Sequence, residues 1–465
     1  MKLLKINRKN LFIIISIMLM IIAAMSNATT YLMLIVLSII FLCVNWNSVS
    51  ANDILVPKMA ISLLMFQNFA IGIGAHITGN FSSELSWLTQ VPTLFISMAY
   101  LSIILKKHFH KKEFVFFLYV TLCLVFFFVG NGNLVARITY FRNFVIFFMA
   151  FRIGIHYIDT KDKFLQFIYF FIKLSIVAVV FGLLGMILGK SFYQSIGVLE
   201  VYKAKHYTAY RDGLPGNFQT VFLGVWVNRF ASLYYDPVNF SYYMSLACLV
   251  AFISKRKALF LIFVICEILT FGKGGLLIFG LTLICVIMQR FFSRYNAKAV
   301  RILIIMIAIV AMAALVYIIQ TKFTNDFGTY NHFYGMSTGL NSVIKEPLGH
   351  GLGSAGNLIK TAQLNSQEVS ETGLINMAYQ IGVLGTALFC FLFLSTAKGA
   401  FWAYKKDKEP LCLLSSFLPF VLLIVSIYQE NTYTPQCVVP YMLMVGGSCN
   451  ADIIRERIVK GKWRS

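Results

Sequence analysis

The chain has 465 residues, of which 59% are hydrophobic and only 12% charged, and a mean hydropathy of +0.77. Soluble domains carry about 25% charged residues, so a water-soluble globule is excluded. The apolar runs are long and continuous rather than alternating, which excludes a β-barrel. Lys and Arg number 40 against 18 Asp and Glu, for a net charge of +22. The basic residues sit in short clusters between apolar runs. That placement follows the positive-inside rule and argues against nucleic acid as a partner.

Taken in chain order, apolar runs fall near 11–26, 29–44, 54–75, 86–105, 114–130, 138–156, 164–188, 239–253, 258–271, 274–289, 301–319, 374–397, 411–427 and 436–450. A span needs about 20 apolar residues, so fourteen would use roughly 280 and leave no room for a large extramembrane domain. The predicted fold is an all-α polytopic membrane protein of about 14 spans, one domain over 1–465. The N-terminus resembles a signal peptide, with Lys2, Lys5, Arg8 and Lys9 before an apolar stretch and a possible cleavage site at Ser26-Asn27-Ala28. A second apolar run starts at Tyr31, so the first is read as an uncleaved span.

Orientation follows from the basic clusters. With both termini cytoplasmic, the inside turns carry Lys106, Lys107, Lys111 and Lys112, then Lys255, Arg256 and Lys257, then Arg290, Arg294, Lys298 and Arg301. Lys398, Lys405, Lys406, Lys408 and the basic tail also fall inside, whereas the outside turns at 27–28, 76–85 and 428–435 have no Lys or Arg. The runs at 258–289 meet at Phe271-Gly272-Lys273-Gly274-Gly275 and are either two spans or a re-entrant pair, with the same parity. Two outside segments, about 189–238 and 320–373, are long, and long connections in compact proteins are functional or disordered. Their aromatic content and lack of low complexity favour function.

The nine cysteines lie in or at the ends of apolar runs, which supports neither a disulfide framework nor a Cys-x-x-Cys metal site. The first outside loop is net basic, with Lys190, Lys203, Lys205, Arg211 and Arg229 against Glu200, Asp212 and Asp236. Fourteen aromatics lie between Phe192 and Tyr243, among them Tyr202, Tyr207, Trp226, Tyr234 and Tyr235. Aromatic faces suit sugar rings, and the guanidinium fork suits phosphate. The plain alternative is an interfacial aromatic belt with solvated charges. Two ionisable residues, Lys173 and Glu267, sit within apolar runs, where such groups invite a functional reading. Glu267 is close enough in sequence to pair with Lys273.

Arg229-Phe230-Ala231-Ser232-Leu233-Tyr234-Tyr235-Asp236-Pro237-Val238-Asn239 opens a span after a long outer loop. It resembles the Arg-x-x-Gly-x-x-x-x-Pro-Asn signature of the O-antigen polymerase and ligase superfamily, with Ala231 for Gly and Val238 inserted. Thr270-Phe271-Gly272-Lys273-Gly274 is similar to the family's Thr-x-Ser-Arg/Lys-Gly segment. Gly349-His350-Gly351-Leu352-Gly353 is similar to its Gly-x-Gly-x-Gly turn, and Glu371-Thr372-Gly373, followed by Gly382 to Gly385, resembles the segment that opens the next span. The four motifs cover about 229–385 in the expected order; the first seven spans match only in hydropathy. Ligases typically carry His-Asn where this chain has Glu371-Thr372, so the resemblance favours a polymerase.

That resemblance implies a fold similar to the GT-C type of integral-membrane glycosyltransferase in a bacterial inner membrane. The implied substrate is an undecaprenyl-pyrophosphate-linked oligosaccharide, handled at the periplasmic face for O-antigen or capsule, with a flippase and a chain-length regulator of the same pathway as partners. Displacing lipid pyrophosphate from an anomeric carbon needs cations for the leaving group and a base for the incoming hydroxyl. Arg229, Arg211 and Lys273 are the outside-facing cations nearest spans, and Glu371 is the best-placed carboxylate. Asp236, Asn239, His350, Tyr234 and Tyr235 are candidates for substrate binding. No Asp-x-Asp pair occurs outside, so a reaction without metal or other cofactor is expected. A lipid-linked oligosaccharide flippase is the alternative class, although flippases usually have short outer loops; an O-antigen ligase is the other.

Overall fold

The computed structural model describes residues 8–25, 54–79, 85–106, 111–205, 207, 209–222, 224–291, 306, 327–356 and 372–449. These form helices α1 (Arg8–Met25), α2 (Leu55–Thr78), α3 (Leu85–Leu88), α4 (Val91–Lys106), α5 (Lys111–Val129), α6 (Leu134–Tyr157) and α7 (Lys161–Leu188). After two short helices, α8 (Lys190–Ser195) and α9 (Val198–Ala204), come α10 (Pro237–Ile253), α11 (Lys257–Thr270) and α12 (Lys273–Phe291). The last group is α13 (Phe327–Lys345), α14 (Gly373–Asp407), α15 (Pro410–Tyr428) and α16 (Pro435–Ser448). Twelve of the fourteen apolar runs thus coincide with helices. The other two, 29–44 and all but Met306 of 301–319, lie outside the described residues.

Five of these helices, α2, α6, α7, α14 and α15, are long and apolar enough to cross a membrane. Their surfaces agree with lipid as the solvent. Leu183, Leu184, Ile187 and Leu188 form an exposed apolar stripe on α7, while Phe164, Phe167, Ile168 and Phe171 of the same helix are buried. Such a stripe would be a large apolar patch in water. Within the bundle, small residues allow close approach. A Cβ added at Gly154 of α6 would stand 2.5 Å from the Leu443 carbonyl oxygen and 3.0 Å from the Gly446 Cα of α16.

Local sequence explains where the helices start. Asn133 caps α6 by accepting from the Val135 amide at 2.9 Å, and Thr160 caps α7 by accepting from the Lys163 amide at 3.2 Å. Each such cap supplies one of the otherwise orphaned first-turn amides with an acceptor. Proline at the first position opens α10, α15 and α16, where its missing N–H costs nothing. The 258–289 region is two helices joined through Phe271 in the left-handed conformation (φ 49°). Both pack on α10 far more than on each other. At 14 residues, α11 is about 21 Å long, short of a hydrocarbon core of about 30 Å.

The turns expected to share a membrane side meet one another. At one end, His76 lies 2.8 Å from Glu200, Tyr140 donates to Glu430, and Tyr242 donates to Gln429 at 2.7 Å. At the other end, Arg152 pairs with Glu113, Lys161 lies 3.5 Å from Glu409, and Arg256 stands over Tyr169. The first long loop is an ordered cap on the first of these ends. Besides α8 and α9 it holds two small antiparallel hairpins, β1 (Tyr210–Arg211) with β2 (Leu214–Pro215) and β3 (Gln219–Phe222) with β4 (Val225–Asn228). The first hairpin turns on Asp212-Gly213, both at positive φ, the two-residue chemistry that tight hairpins favour.

Candidate active site

Asp236 and Arg229 organise the point where the capping loop enters the bundle. Asp236 is the N-cap of α10 and accepts from the Val238 amide at 2.9 Å. Arg229, half-buried, reaches across to the turn between α11 and α12. Its Nε donates to the Thr270 carbonyl at 2.8 Å, and its Nη2 to the Phe271 carbonyl at 3.4 Å. Its Nη1 donates to the Asn217 carbonyl at 3.3 Å. Two of the motifs read in the sequence are therefore physically one unit, tied by a single side chain. Three of the five guanidinium N–H groups are spent on the main chain, which leaves two.

Further cations converge here. Burial raises the Asp236 carboxyl above its ordinary value, opposed by the Val238 amide and by the positive charges of Arg229 and Lys205. Lys205, just beyond α9, is also within electrostatic range of Arg142 in α6. Arg142 is held by Gln90, to which Nη1 donates at 3.0 Å, and by the Asn143 side-chain oxygen. Arg229 and Lys205 thus act on one carboxylate, with Arg142 within range of Lys205, an excess of positive charge that suits an anion. Asn217 donates to the Tyr202 hydroxyl at 2.7 Å, and Tyr202 in turn donates to the Tyr235 carbonyl at 2.6 Å, which fixes the cap on the bundle.

Lys273 begins α12 two residues after Phe271, one of the carbonyl partners of Arg229. A cation at a helix N-terminus opposes the macrodipole by about 0.3–1 kcal/mol, whereas an anion arriving there is favoured by both the dipole and the lysine. Glu267 is fully buried in α11, and its two carboxylate oxygens accept no hydrogen bond among the described residues. The expected pairing of Glu267 with Lys273 is therefore not made.

Other sequence-predicted residues have different surroundings. Tyr234 and Tyr235 are 0% exposed. Tyr234 packs against Phe240 and Tyr243, and Tyr235 donates to the Ile196 carbonyl. Neither ring face is open to a sugar, so the structure corrects both from binding residues to core. Arg211 stacks 3.4 Å over the Trp226 ring at the exposed hairpins, on the outer surface of the cap. Asn239 donates to Gln436 at 3.4 Å and joins the first turns of α10 and α16.

His350 stacks on Tyr379 at 3.9 Å and pairs with Glu346. Its turn is built on Gly349, Gly351 and Gly353, all at positive φ. A Cβ at Gly351 would fall 2.3 Å from the Gly130 Cα, and one at Gly349 would fall 2.5 Å from the amide nitrogen of Gly382, where α14 is broken. The turn is a close-packed wedge between the α5–α6 turn and the broken helix. Glu371 lies outside the described residues.

Sequence reasoning passed over Arg142 and Glu430. Arg142 lay inside an apolar run, where an ionisable residue was itself the signal. Glu430 lies in a turn whose lack of Lys and Arg marks its side of the bundle but carries no signal for the carboxylate. No family model, curated protein or solved structure matches the chain.

Proposed function

We propose that the protein polymerises lipid-linked oligosaccharide repeat units, with undecaprenyl pyrophosphate as the leaving group, at the periplasmic face of a bacterial inner membrane. The observation that carries this reading is Arg229, which ties the turn capped by Asp236 to the turn at Thr270 and Phe271 beneath an ordered cap, with Lys205 within electrostatic range of Asp236, beside the helix N-terminus opened by Lys273. In the reaction, a hydroxyl oxygen of the acceptor sugar forms a bond to the anomeric carbon of the donor. The bond from that carbon to the pyrophosphate oxygen breaks, and its electron pair leaves with the lipid pyrophosphate. The cations stabilise the charge that develops there, which is the largest contribution such a site makes. The hydroxyl proton passes to Glu371.

The support for Glu371 is its motif in the sequence; among the described carboxylates at this end four are engaged, and Glu267 is fully buried. Glu200 is paired with His76, Glu346 with His350 and Glu430 with Tyr140, while Asp236 caps a helix. The full reading comprises about 14 spans, a GT-C-like arrangement, cytoplasmic termini and a reaction without metal. The surface lipopolysaccharide of a deletion strain tests it. Single repeat units on the surface are the expected result. Repeat units stranded inside would indicate a flippase, and polymer left on carrier lipid would indicate a ligase.

A further inference from the structure

A second charged site lies at the opposite end of the bundle. Lys58 stands in the first turn of α2 and Asp162 in the first turn of α7, whereas the candidate active site gathers where these helices end, at His76 and Gly189. Between the two helices is an open cavity of about 600 Å³, lined by Lys58, Asp162, Gln166, Tyr169, Phe170 and Lys173. Arg256, from the turn between α10 and α11, places its guanidinium 4.5 Å over the Tyr169 ring. The Lys58 ammonium is 5.5 Å from the Phe170 ring and the Lys173 ammonium 5.6 Å from the Tyr169 ring. Among the described residues, Lys58 and Lys173 line the cavity and Arg256 stands over its Tyr169 wall, with Asp162 as the carboxylate in the lining.

The cost of this arrangement points to its use. Both α2 and α7 are apolar enough to cross a membrane, and a lysine within such a helix is expensive unless it reaches an interface or a partner. Among the described residues no carboxylate lies within ion-pair distance of Lys173 or Arg256. The volume lies in the range of small-molecule sites. Apolar surface continues from the cavity along α7, where Leu165, Ile176 and Val177 are each more than a third exposed. A phosphate seated on the cations would leave acyl chains to run along that stripe.

We infer that the cavity between α2 and α7 binds the phosphate headgroup of an anionic phospholipid of the leaflet opposite the candidate active site. Lys58 and Lys173 hold the phosphate, while Tyr169, held by Arg256, and Phe170 form the wall beside them. Basic pockets between spans are the usual seats of such headgroups. The site is independent of the polymerase reading, since none of its residues touches the Arg229 cluster.

Native mass spectrometry of the full-length protein, released from nanodiscs of phosphatidylglycerol mixed with phosphatidylcholine, tests the inference. The wild type is expected to retain phosphatidylglycerol in preference to phosphatidylcholine. Each cation is worth on the order of fivefold at an anionic surface, so Lys58→Ala/Lys173→Ala should weaken retention by about tenfold or more. Gln166→Glu adds an opposing charge at an exposed position, and the same loss is expected there even if the double variant fails to fold. Equal retention by wild type and Gln166→Glu would overturn the inference, as would equal retention of the two lipids. A thermal shift by inorganic pyrophosphate in lipid-free detergent, equal to that by phosphatidylglycerol and lost in Gln166→Glu, would assign the site to a soluble phosphate instead and overturn the lipid assignment.

Discussion

Replacing Arg229 separates the two tasks its geometry assigns to it. The side chain makes one short charge-assisted hydrogen bond, to Thr270 at 2.8 Å, and two long ones, to Asn217 at 3.3 Å and Phe271 at 3.4 Å. A hydrogen bond from a charged donor contributes about 1.5–3 kcal/mol, and the long pair together about as much as one good bond. Allowing for partial exposure, Arg229→Ala should cost about 3 kcal/mol of stability. Arg229→Lys should cost about 2, because an ammonium on a flexible stem can reach one of these carbonyls but not all three. The buried thiols of Cys248 and Cys437 allow thermal unfolding in detergent to be followed with a thiol-reactive dye. The midpoint should fall by several degrees in the order Ala, then Lys, then wild type. Polymerisation should fall further than stability explains, by about 10²–10³ in rate for each variant assayed well below its midpoint. An Ala variant with an unchanged midpoint would refute the clamp, and one that makes polymer normally would remove Arg229 from the site.

Three further outcomes are expected. Gly351→Ala should destabilise the protein by about 2–4 kcal/mol through left-handed strain and overlap with Gly130, seen as a lowered unfolding midpoint; an unchanged midpoint would show that the wedge at 349–353 yields easily. Asp236→Asn keeps the helix cap but cannot ionise. Because burial raises the folded carboxyl above its unfolded value near 4, the native state holds the extra proton as pH rises from about 4, and the wild type loses stability through that window. The Asn variant should therefore gain on the wild type as pH rises from about 4, whereas a variant that falls behind would show that Arg229 and Lys205 outweigh burial. In a cysteine-free background, Gly213→Cys and Ser337→Cys should react with an impermeant maleimide in spheroplasts and Lys257→Cys should not; the reverse pattern inverts the orientation.

Hydropathy made the helices legible because long apolar segments have few alternatives to helix in a membrane. The basic clusters made the grouping of turns legible, and the Glu113–Arg152 and Lys161–Glu409 pairs at one end agree with it. Side-chain direction was not legible. Tyr234 and Tyr235 looked like a sugar platform because composition counts aromatics without their burial. Their rings are instead turned inward by the tight turn that ends at Tyr235, which has φ 53°. Arg229 was read as a phosphate ligand from its place in a motif, but its bonds to Thr270 and Phe271 depend on a contact across about forty residues that no local pattern encodes. Arg142 was missed for the opposite reason, since window averages dilute one charge among apolar neighbours. The hairpin at Asp212-Gly213 was within reach of sequence reasoning, and attention to turn chemistry would have found it.

The most direct test of the central claim is polymerisation by the purified protein. Incubated in detergent with the undecaprenyl-pyrophosphate-linked repeat unit of its own host, and with a chelator present, the wild type should extend the oligosaccharide into a ladder. It should release one undecaprenyl pyrophosphate for each new linkage. Arg229→Ala and Glu371→Gln should each leave the single unit unextended. Single units that persist with folded wild-type protein, in the absence or presence of divalent metal, would contradict the account.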